Sequence, residues 1–339
     1  MVANRRRNFA NERIRLPNWS GRIFCVAVKS GAYRFTPVAF TRIAFAVLLA
    51  GLLCPASATW AESTTETPPA RAGLLDDENI VTHIETVGNA LIHAGHTVKL
   101  KTLRSQLTKV HTCALTLPDL HQGPISPSEI YEKRAESVLV VGMLAKTKKS
   151  QKYELAGCSG FALTADGIFV TNYHVVDNPD ADTMVVMTHS GRITPATEVL
   201  AADKLADVAI LRAPGAEFVP LPLAQEVPPP GSPIWVISNP DHNFFCFTNG
   251  MVSRHFMALT DAGKTPQMAI TADFGVGSSG GPILDSKGQV TGIVCSTTSV
   301  YWEDSKGKPT DLQMVFKHCV PVESIRGLIT APKTAEAGH

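Results

Sequence analysis

A glycine-rich stretch, Gly277-Ser278-Ser279-Gly280-Gly281-Pro282, precedes an apolar, strand-like run at residues 290–294. Glycines on both sides of a serine let the backbone turn tightly and approach another molecule without interference from a Cβ atom. Their amide N–H groups can point into one concavity, which favours an anion or a developing oxyanion. Ser279 is therefore a candidate nucleophile, provided that a base and an orienting carboxylate lie elsewhere in the chain. A Gly/Ser-rich surface loop is the alternative interpretation of this stretch taken alone.

Both partners of such a serine are present. His174 follows the apolar run at residues 168–171, and Asp207 opens the run at residues 208–211. Polar groups at strand ends are typical of a site that a rigid scaffold presents. The chain order His, Asp, Ser is one of three in which this catalytic triad recurs. Four other acids precede Asp207 in turn-like or polar contexts, so Asp207 is the preferred carboxylate; they are Asp177, Asp180, Asp182 and Asp203.

Length and composition leave room for one large or two small domains. The chain has 339 residues, a net charge of +1, 44% hydrophobic residues and 18% charged residues. A sizeable core is expected and general disorder is not. The near-zero net charge gives no reason to expect a nucleic-acid partner.

The N-terminal segment has the features of a secretory signal. Nine basic residues and one acid precede an apolar run of about 11 residues at 43–53, which is short for a membrane-spanning helix. Small residues follow and predict cleavage after Ala58, or alternatively after Ala61. We therefore expect a signal or targeting segment at 1–61 and a periplasmic or secreted protein. An uncleaved N-terminal anchor is the alternative.

Export would place the mature chain where disulfides are allowed. Of seven cysteines, Cys25 and Cys54 belong to the targeting segment. The remaining five are Cys113, Cys158, Cys246, Cys295 and Cys319. This odd number permits at most two bridges. The spacing indicates no zinc site, and we expect neither a metal nor a cofactor.

The mature chain begins with a flexible leader and a helical segment, together spanning residues 62–125. Apolar residues recur at three- and four-residue steps between residues 78 and 116, which predicts one or two amphipathic helices. This N-terminal helical appendage is a candidate surface for homo-oligomerisation. Ser126-Pro127-Ser128-Glu129 then predicts the start of a short helix.

From about residue 138 the hydrophobic period changes from helical to strand-like. About a dozen short β-rich runs are separated by turn signals, without long helices between them, which indicates antiparallel β-barrels. A C-terminal helix is predicted at 322–329, followed by a tail at 331–339. The predicted strands are 138–144, 160–164, 168–171, 183–187, 197–201, 208–211, 233–237, 244–252, 268–271, 282–284, 290–295 and 314–320.

Further motifs accompany the serine stretch. They are Gly157-Cys158-Ser159-Gly160-Phe161, Thr171-Asn172-Tyr173-His174-Val175-Val176, Ala206-Asp207-Val208-Ala209-Ile210-Leu211, and Ser238-Asn239-Pro240 with Thr248-Asn249-Gly250-Met251-Val252-Ser253. With these motifs, residues 130–330 resemble a trypsin-like serine endopeptidase of the chymotrypsin clan, in its HtrA/Deg branch. The resemblance implies a mainly β fold of two antiparallel six-stranded β-barrels, here with a protease domain at 126–330. The PDZ domain common in that branch is not expected in this sequence.

The resemblance also implies the roles of the site residues. Ser279 would attack the scissile carbonyl, His174 would transfer the proton, and Asp207 would orient the imidazole. The backbone N–H groups of Gly277 and Ser279 would form the oxyanion hole.

Substrate preference is the least determined property. Asp273 lies six residues before Ser279, where trypsin carries the acid that selects Arg or Lys. The alternative is that Asp273 is a salt-bridged or surface loop acid. Phe274 would narrow the same pocket. By resemblance, Cys295, Ser296 and Thr297 form the edge on which a peptide substrate adds as a β-strand.

The sequence thus predicts an exported serine endopeptidase that acts on polypeptides through an acyl-enzyme intermediate. A catalytically silent or chaperone-like peptide-binding module on the same fold is the alternative, because a fold alone does not determine function. An esterase is less well supported, since no G-x-S-x-G elbow is present.

Overall fold

The computed structural model describes residues 74–118, 123–146, 152–260, 263–303 and 309–332. The described residues belong to one compact unit, Ala72–His339. The predicted targeting segment, 1–61, lies outside the described residues, as does most of the predicted tail. Among the described residues, no helix combines the length and the apolar character that a bilayer crossing requires.

The described chain is built mainly from β-strands. Its α-helices are α1 (Asp77–His93), α2 (Leu100–Gln106), α3 (Pro127–Arg134), α4 (Tyr173–Val176) and α5 (Val322–Arg326), with 3-10 turns at Ala135–Ser137 and Pro240–His242. Its strands are β1 (Cys113–Ala114), β2 (Val138–Lys146), β3 (Tyr153–Ala162), β4 (Ile168–Thr171), β5 (Thr183–Met187), β6 (Ile193–Pro195), β7 (Glu198–Asp203), β8 (Val208–Arg212), β9 (Pro233–Ser238), β10 (Cys246–Thr260), β11 (Gly263–Ile270), β12 (Pro282–Leu284), β13 (Val290–Glu303), β14 (Pro309–Pro321) and β15 (Ile329–Thr330).

Residues 126–330 form two halves, and the first is a seven-stranded antiparallel sheet in the order β6-β5-β2-β3-β4-β8-β7. Strands β2, β4 and β5 are buried along nearly their whole length, because apolar clusters cover both of their faces. Val140 lies in one cluster and Val141 in the other, as the alternation of side chains along a strand requires.

The second half is a closed barrel in the order β10-β11-β14-β13-β12-β9. Its interior cluster includes Val236, Ile270, Phe274, Val294 and Cys319. The two long hairpins β10–β11 and β13–β14 continue beyond this cluster to the pairs Thr260↔Gly263 and Glu303↔Pro309.

The predicted mainly β fold class is confirmed, with a difference in how the first barrel closes. Within the described residues, hydrogen bonds between β6 and β7 do not complete its ring. Strand β6 ends at Pro195, which has no N–H to donate to a sheet. Only two residues separate β6 from β7, so the two edge strands of the sheet are connected covalently and not by hydrogen bonds.

The N-terminal helices predicted between residues 78 and 116 are present, and they pack on the first sheet. Helix α1 buries Ile84, and α2 buries Leu100 and Leu103, all three with no exposed surface. In α1, Asn89 accepts from the Tyr153 N–H at 3.0 Å and donates to its carbonyl at 3.0 Å. These contacts make the helices part of the core of the described chain.

Short helices lie near both ends of residues 126–330. Helix α3 begins with a capping box, in which the Ser126 and Glu129 side chains each bond the backbone of the other residue. Helix α5 is shorter than the predicted 322–329. After Gly327 the chain leaves the helix, and β15 pairs in parallel with β1.

Candidate active site

His174 is positioned by a buried strand end. Strand β4 leads through Asn172 into the one-turn helix α4, which carries the imidazole. The Thr171 hydroxyl donates to the Ser159 carbonyl at 2.8 Å, and the Asn172 side-chain amide donates to the Asp207 carbonyl at 2.8 Å. Both residues are fully buried, and their hydrogen bonds fix the backbone that leads to His174.

Asp207 holds the histidine through two carboxylate oxygens. One accepts the His174 backbone N–H at 2.9 Å, and the other lies 2.8 Å from Nδ1 of its ring. A carboxylate only accepts hydrogen bonds, so Nδ1 is the protonated nitrogen and Nε2 is left to accept. Asp207 has a φ of 62°, in the left-handed region that Asp tolerates better than most residues.

The four rival carboxylates have other positions. Asp177 pairs with Arg104 at 3.2 Å, and Asp182 accepts the Lys146 backbone N–H at 2.9 Å. Asp203 accepts two backbone N–H groups in the turn before β8, and Asp180 lies in an exposed turn. Among these acids, only Asp207 contacts the His174 ring.

Ser279 lies in the loop between β11 and β12, and its Oγ is 3.1 Å from Nε2 of His174. Gly277 and Gly280, on either side of it, have φ values of 91° and 85°. A Cβ on Gly277 would also come within 2.5 Å of the Asn239 carbonyl oxygen, so this position requires glycine. The structure thus brings His174, Asp207 and Ser279 together from both halves of residues 126–330.

The peptide bond before Gly277 has a fixed orientation. The Val276 carbonyl accepts the Asp241 N–H at 2.7 Å. Because the C=O and N–H of a trans peptide point in opposite directions, the Gly277 N–H is directed away from Asp241. Among the described residues, neither the Gly277 N–H nor the Ser279 N–H donates to an acceptor. Both predicted oxyanion donors are therefore free.

A buried polar network under the loop fixes this arrangement. The Ser159 hydroxyl donates to the Gly277 carbonyl at 2.9 Å and accepts the Asn239 backbone N–H at 2.9 Å. The Asn239 side chain donates to the Leu139 carbonyl at 3.1 Å and accepts the Phe245 N–H at 2.9 Å. These bonds connect the first sheet to the serine loop of the second barrel.

Cys295, predicted only as part of the substrate edge, also contacts the triad. Its thiol donates to Oδ2 of Asp207 at 3.2 Å, the same oxygen that faces the His174 ring. Burial, together with the adjacent Asp207 carboxylate, raises the pKa of the Cys295 thiol well above its ordinary value. A protonated thiol therefore supplies a third hydrogen bond to Asp207.

The neighbouring residues Asp273 and Phe274 differ in exposure. The Asp273 side chain is 90% exposed, and its carboxylate is 3.3 Å from Nζ of Lys317. Phe274 is buried in the second barrel. Asp273 thus has the ion-pair partner expected of a salt-bridged loop acid. Its role in substrate binding stays a prediction.

Ser296 and Thr297 are exposed residues of β13 that pair with His318 and Lys317 of β14. Strand β12 pairs with β13 only as far as Ile293. In the described chain, the other edge of β13 is therefore unpaired from Cys295 onward, as strand addition by a peptide requires.

Sequence motifs alone did not reveal Lys317, and they indicated no role for Ser159 or Asn239. A signal for Lys317 was available, because it is a charged residue within the apolar run 314–320. The Ser159–Asn239 bond joins positions 80 residues apart, and no local pattern encodes it.

Part of the chain is similar to known proteins. Residues 158–293 match the family described as the trypsin-like peptidase domain. These residues are therefore similar to a trypsin-like peptidase domain, and the curated relatives are proteases of the HtrA/Deg type.

Two relatives and one solved structure illustrate the similarity. Protease Do-like 1, chloroplastic, of Arabidopsis thaliana is 30% identical over 62% of this chain and 48% of its own length. A protein named "Probable periplasmic serine endoprotease DegP-like", of Ectopseudomonas mendocina (strain ymp), is 30% identical over 52% of this chain and 36% of its own. A solved HtrA-type protease with a tripeptide is 20% identical, with a TM-score of 0.47, over 60% of this chain and 62% of its own. The chain spans about half the length, or less, of these curated relatives.

Proposed function

We propose that this protein is a serine endopeptidase that hydrolyses peptide bonds of polypeptides. The observation that carries the proposal is the continuous hydrogen-bonded line Asp207–His174–Ser279, with contacts of 2.8 and 3.1 Å. Three side chains that are distant in sequence meet in the order that nucleophilic catalysis needs. The peptidase-domain match supports the same reaction class.

In the proposed acylation step, Ser279 Oγ forms a bond to the scissile carbonyl carbon while its proton moves to His174 Nε2. The C–N bond then breaks, and the imidazolium returns the proton to the leaving amine. Asp207 stabilises the imidazolium and keeps the ring in the required tautomer. Water attacks the acyl-enzyme in the second step, with His174 again as the base.

The oxyanion of each tetrahedral intermediate would bind the N–H groups of Gly277 and Ser279. Two hydrogen bonds support the orientation of these N–H groups. The Asp241 N–H donates to the Val276 carbonyl at 2.7 Å, and the Ser159 hydroxyl donates to the Gly277 carbonyl. One such donor typically contributes about 3–4 kcal/mol of transition-state stabilisation. The substrate backbone would add to the open edge of β13 at Cys295–Thr297.

The test is labelling with a fluorophosphonate, followed by digestion of casein, for the wild-type chain and for Ser279→Ala. We expect labelling and digestion by the wild type and neither by the variant. Ser105→Ala, in a helix far along the chain from the site, is the matched control and should behave as the wild type. A wild-type chain that neither labels nor digests, yet binds unfolded casein, would instead support the silent binding module.

We also propose that the protein is exported, on the basis of the signal-like residues 43–58 and the periplasmic name of one relative. The test is N-terminal sequencing of the protein recovered from a periplasmic fraction. A mature terminus at Thr59 or Glu62 supports cleavage after Ala58 or Ala61. An intact N-terminus that stays with washed membranes would support the anchored alternative.

A further inference from the structure

A mostly buried lysine lies in β14, on the same face as a residue of the second barrel's interior cluster. Lys317 and Cys319 are two residues apart in β14 and therefore share a face. Cys319 belongs to the interior cluster with Phe274 and Val294. The Lys317 side chain is only 13% exposed.

The ammonium of this lysine is held beside the serine loop. Its Nζ donates to the Phe274 carbonyl at 2.5 Å and lies 3.3 Å from the Asp273 carboxylate and 5.0 Å from the centre of the Phe274 ring. An ammonium has three N–H donors. Two acceptors are present, and the third N–H has none among the described residues.

Lys317 lies next to two segments that are predicted to bind the substrate. On one side it contacts residues 273–274, which lead through Val276 to Ser279. On the other side it pairs with Thr297 of the β13 edge. The start of that edge adjoins the nucleophile, since Ser279 Oγ is 3.4 Å from the Cys295 carbonyl. Lys317 thus contacts one of these segments and pairs with the other, and the side chain preceding the scissile bond would enter a pocket between them.

We propose that Lys317 makes this pocket electropositive, so that the protease cleaves after acidic residues, glutamate or aspartate. The inference rests on the proposed function and specifies its substrate class. Of the two opposite charges, that of Lys317 is the more shielded from water, and the largely exposed Asp273 carboxylate is the more screened. A substrate carboxylate could take the free N–H of Lys317, whereas a basic side chain would meet a like charge.

The experiment compares peptides that differ only in Glu or Gln before the scissile bond, because these side chains are nearly isosteric. For the wild type we expect kcat/KM to favour Glu by about 10- to 100-fold, as for a charge-assisted hydrogen bond. Lys317→Met should bring this ratio close to one while the Gln peptide is still cleaved. Lys317→Arg, which keeps the charge, should retain a preference for Glu.

Asp273→Asn is the matched variant that removes the opposite charge. We expect it to keep or increase the Glu preference, because Lys317 loses its competing partner. Preferred cleavage after Arg or Lys that is lost in Asp273→Asn would overturn the proposal. So would a preference for small apolar residues that Lys317→Met leaves unchanged.

Fluorophosphonate labelling of each variant tests the peptidase function separately from the substrate specificity. Labelled protein that cleaves Gln and Glu peptides equally would contradict the specificity while leaving the peptidase function intact. Wild-type protein that neither labels nor cleaves any peptide would contradict both.

Discussion

Asp207 forms hydrogen bonds with several residues of the candidate site. Its carboxylate accepts from the His174 backbone and from the Cys295 thiol, and faces the His174 ring. Its own carbonyl accepts from Asn172. These bonds hold a non-glycine residue at a φ of 62°, a conformation that needs surrounding contacts to persist.

Replacing Asp207 by Asn should separate geometry from electrostatics. Asn tolerates the left-handed conformation as well as Asp does, so the fold should be kept. The amide would favour the wrong tautomer of His174, and we expect kcat to fall by about 10⁴-fold. Steady-state kinetics with circular dichroism provide the measurement. Activity within tenfold of the wild type would contradict the assigned role of Asp207.

The Cys295 thiol should act as a positioning group through Asp207. Cys295→Ser retains a donor and should keep most of the activity, whereas Cys295→Val removes it. For Cys295→Val we expect kcat/KM to fall about tenfold or more, because hydrogen bonds to charged groups typically contribute about 1.5–3 kcal/mol. If the contact were merely structural, Cys295→Val and Cys295→Ser should show the same pH dependence of activity. A pH–rate profile that differs between the two variants therefore checks the role.

At the scale of the elements, the prediction was most accurate where burial alone defines a strand. Strands β4, β5 and β12 have the predicted bounds, because turn residues flank short apolar runs. Strand β13 was predicted to end at residue 295, yet it continues to Glu303. Its outer part is exposed and owes its conformation to pairing with β14, so its own hydrophobicity does not reveal it.

The same distinction applies to the candidate site. The three candidate residues could be selected from the sequence because each sits in a local motif next to a strand, and their catalytic roles stay predictions. The contacts of Lys317 and Asn239 could not be predicted, because they run across the barrel and between the two sheets. A single sequence contains no record of such pairings.

The loop before Ser279 should be intolerant of any side chain at Gly277. Gly277→Ala would combine a φ of 91° with a clash against the Asn239 carbonyl, and we expect at least a 100-fold loss of fluorophosphonate labelling rate. Gly215→Ala is the control, since Gly215 has a φ of 80° but open space around its Cα. It should cost about 1 kcal/mol of unfolding free energy and leave labelling unchanged. Equal labelling of both variants would contradict a loop that is fixed for catalysis.

At the scale of the whole molecule, the N-terminal helices and the sheets form one core. Ile84→Ala in α1 should lower the free energy of unfolding by about 2–5 kcal/mol, the usual cost of removing a buried isoleucine side chain. Denaturant unfolding measures it. Thr82→Ala, on the exposed side of the same helix, should change stability by less than about 0.5 kcal/mol. A similar, small effect of both would contradict the docking of α1.

Oligomerisation through residues 78–116 stays a prediction. Deletion of the segment would remove the buried Ile84, Leu100 and Leu103, so a lost assembly could reflect unfolding. Charge reversal at exposed positions of α1, followed by mass measurement in solution, is the sharper test. An unchanged mass would exclude the exposed face of α1 from an interface.

The division of the triad between two halves has a consequence during biosynthesis. His174 and Asp207 belong to the first sheet, whereas Ser279 precedes β12, β13 and β14, which must all be made before the second barrel closes. Under the proposed mechanism, a ribosome-bound or partly translocated chain would therefore carry the base without its nucleophile. The cell would be protected from a hydrolase that is still being made, and activity would begin only once synthesis has passed β14.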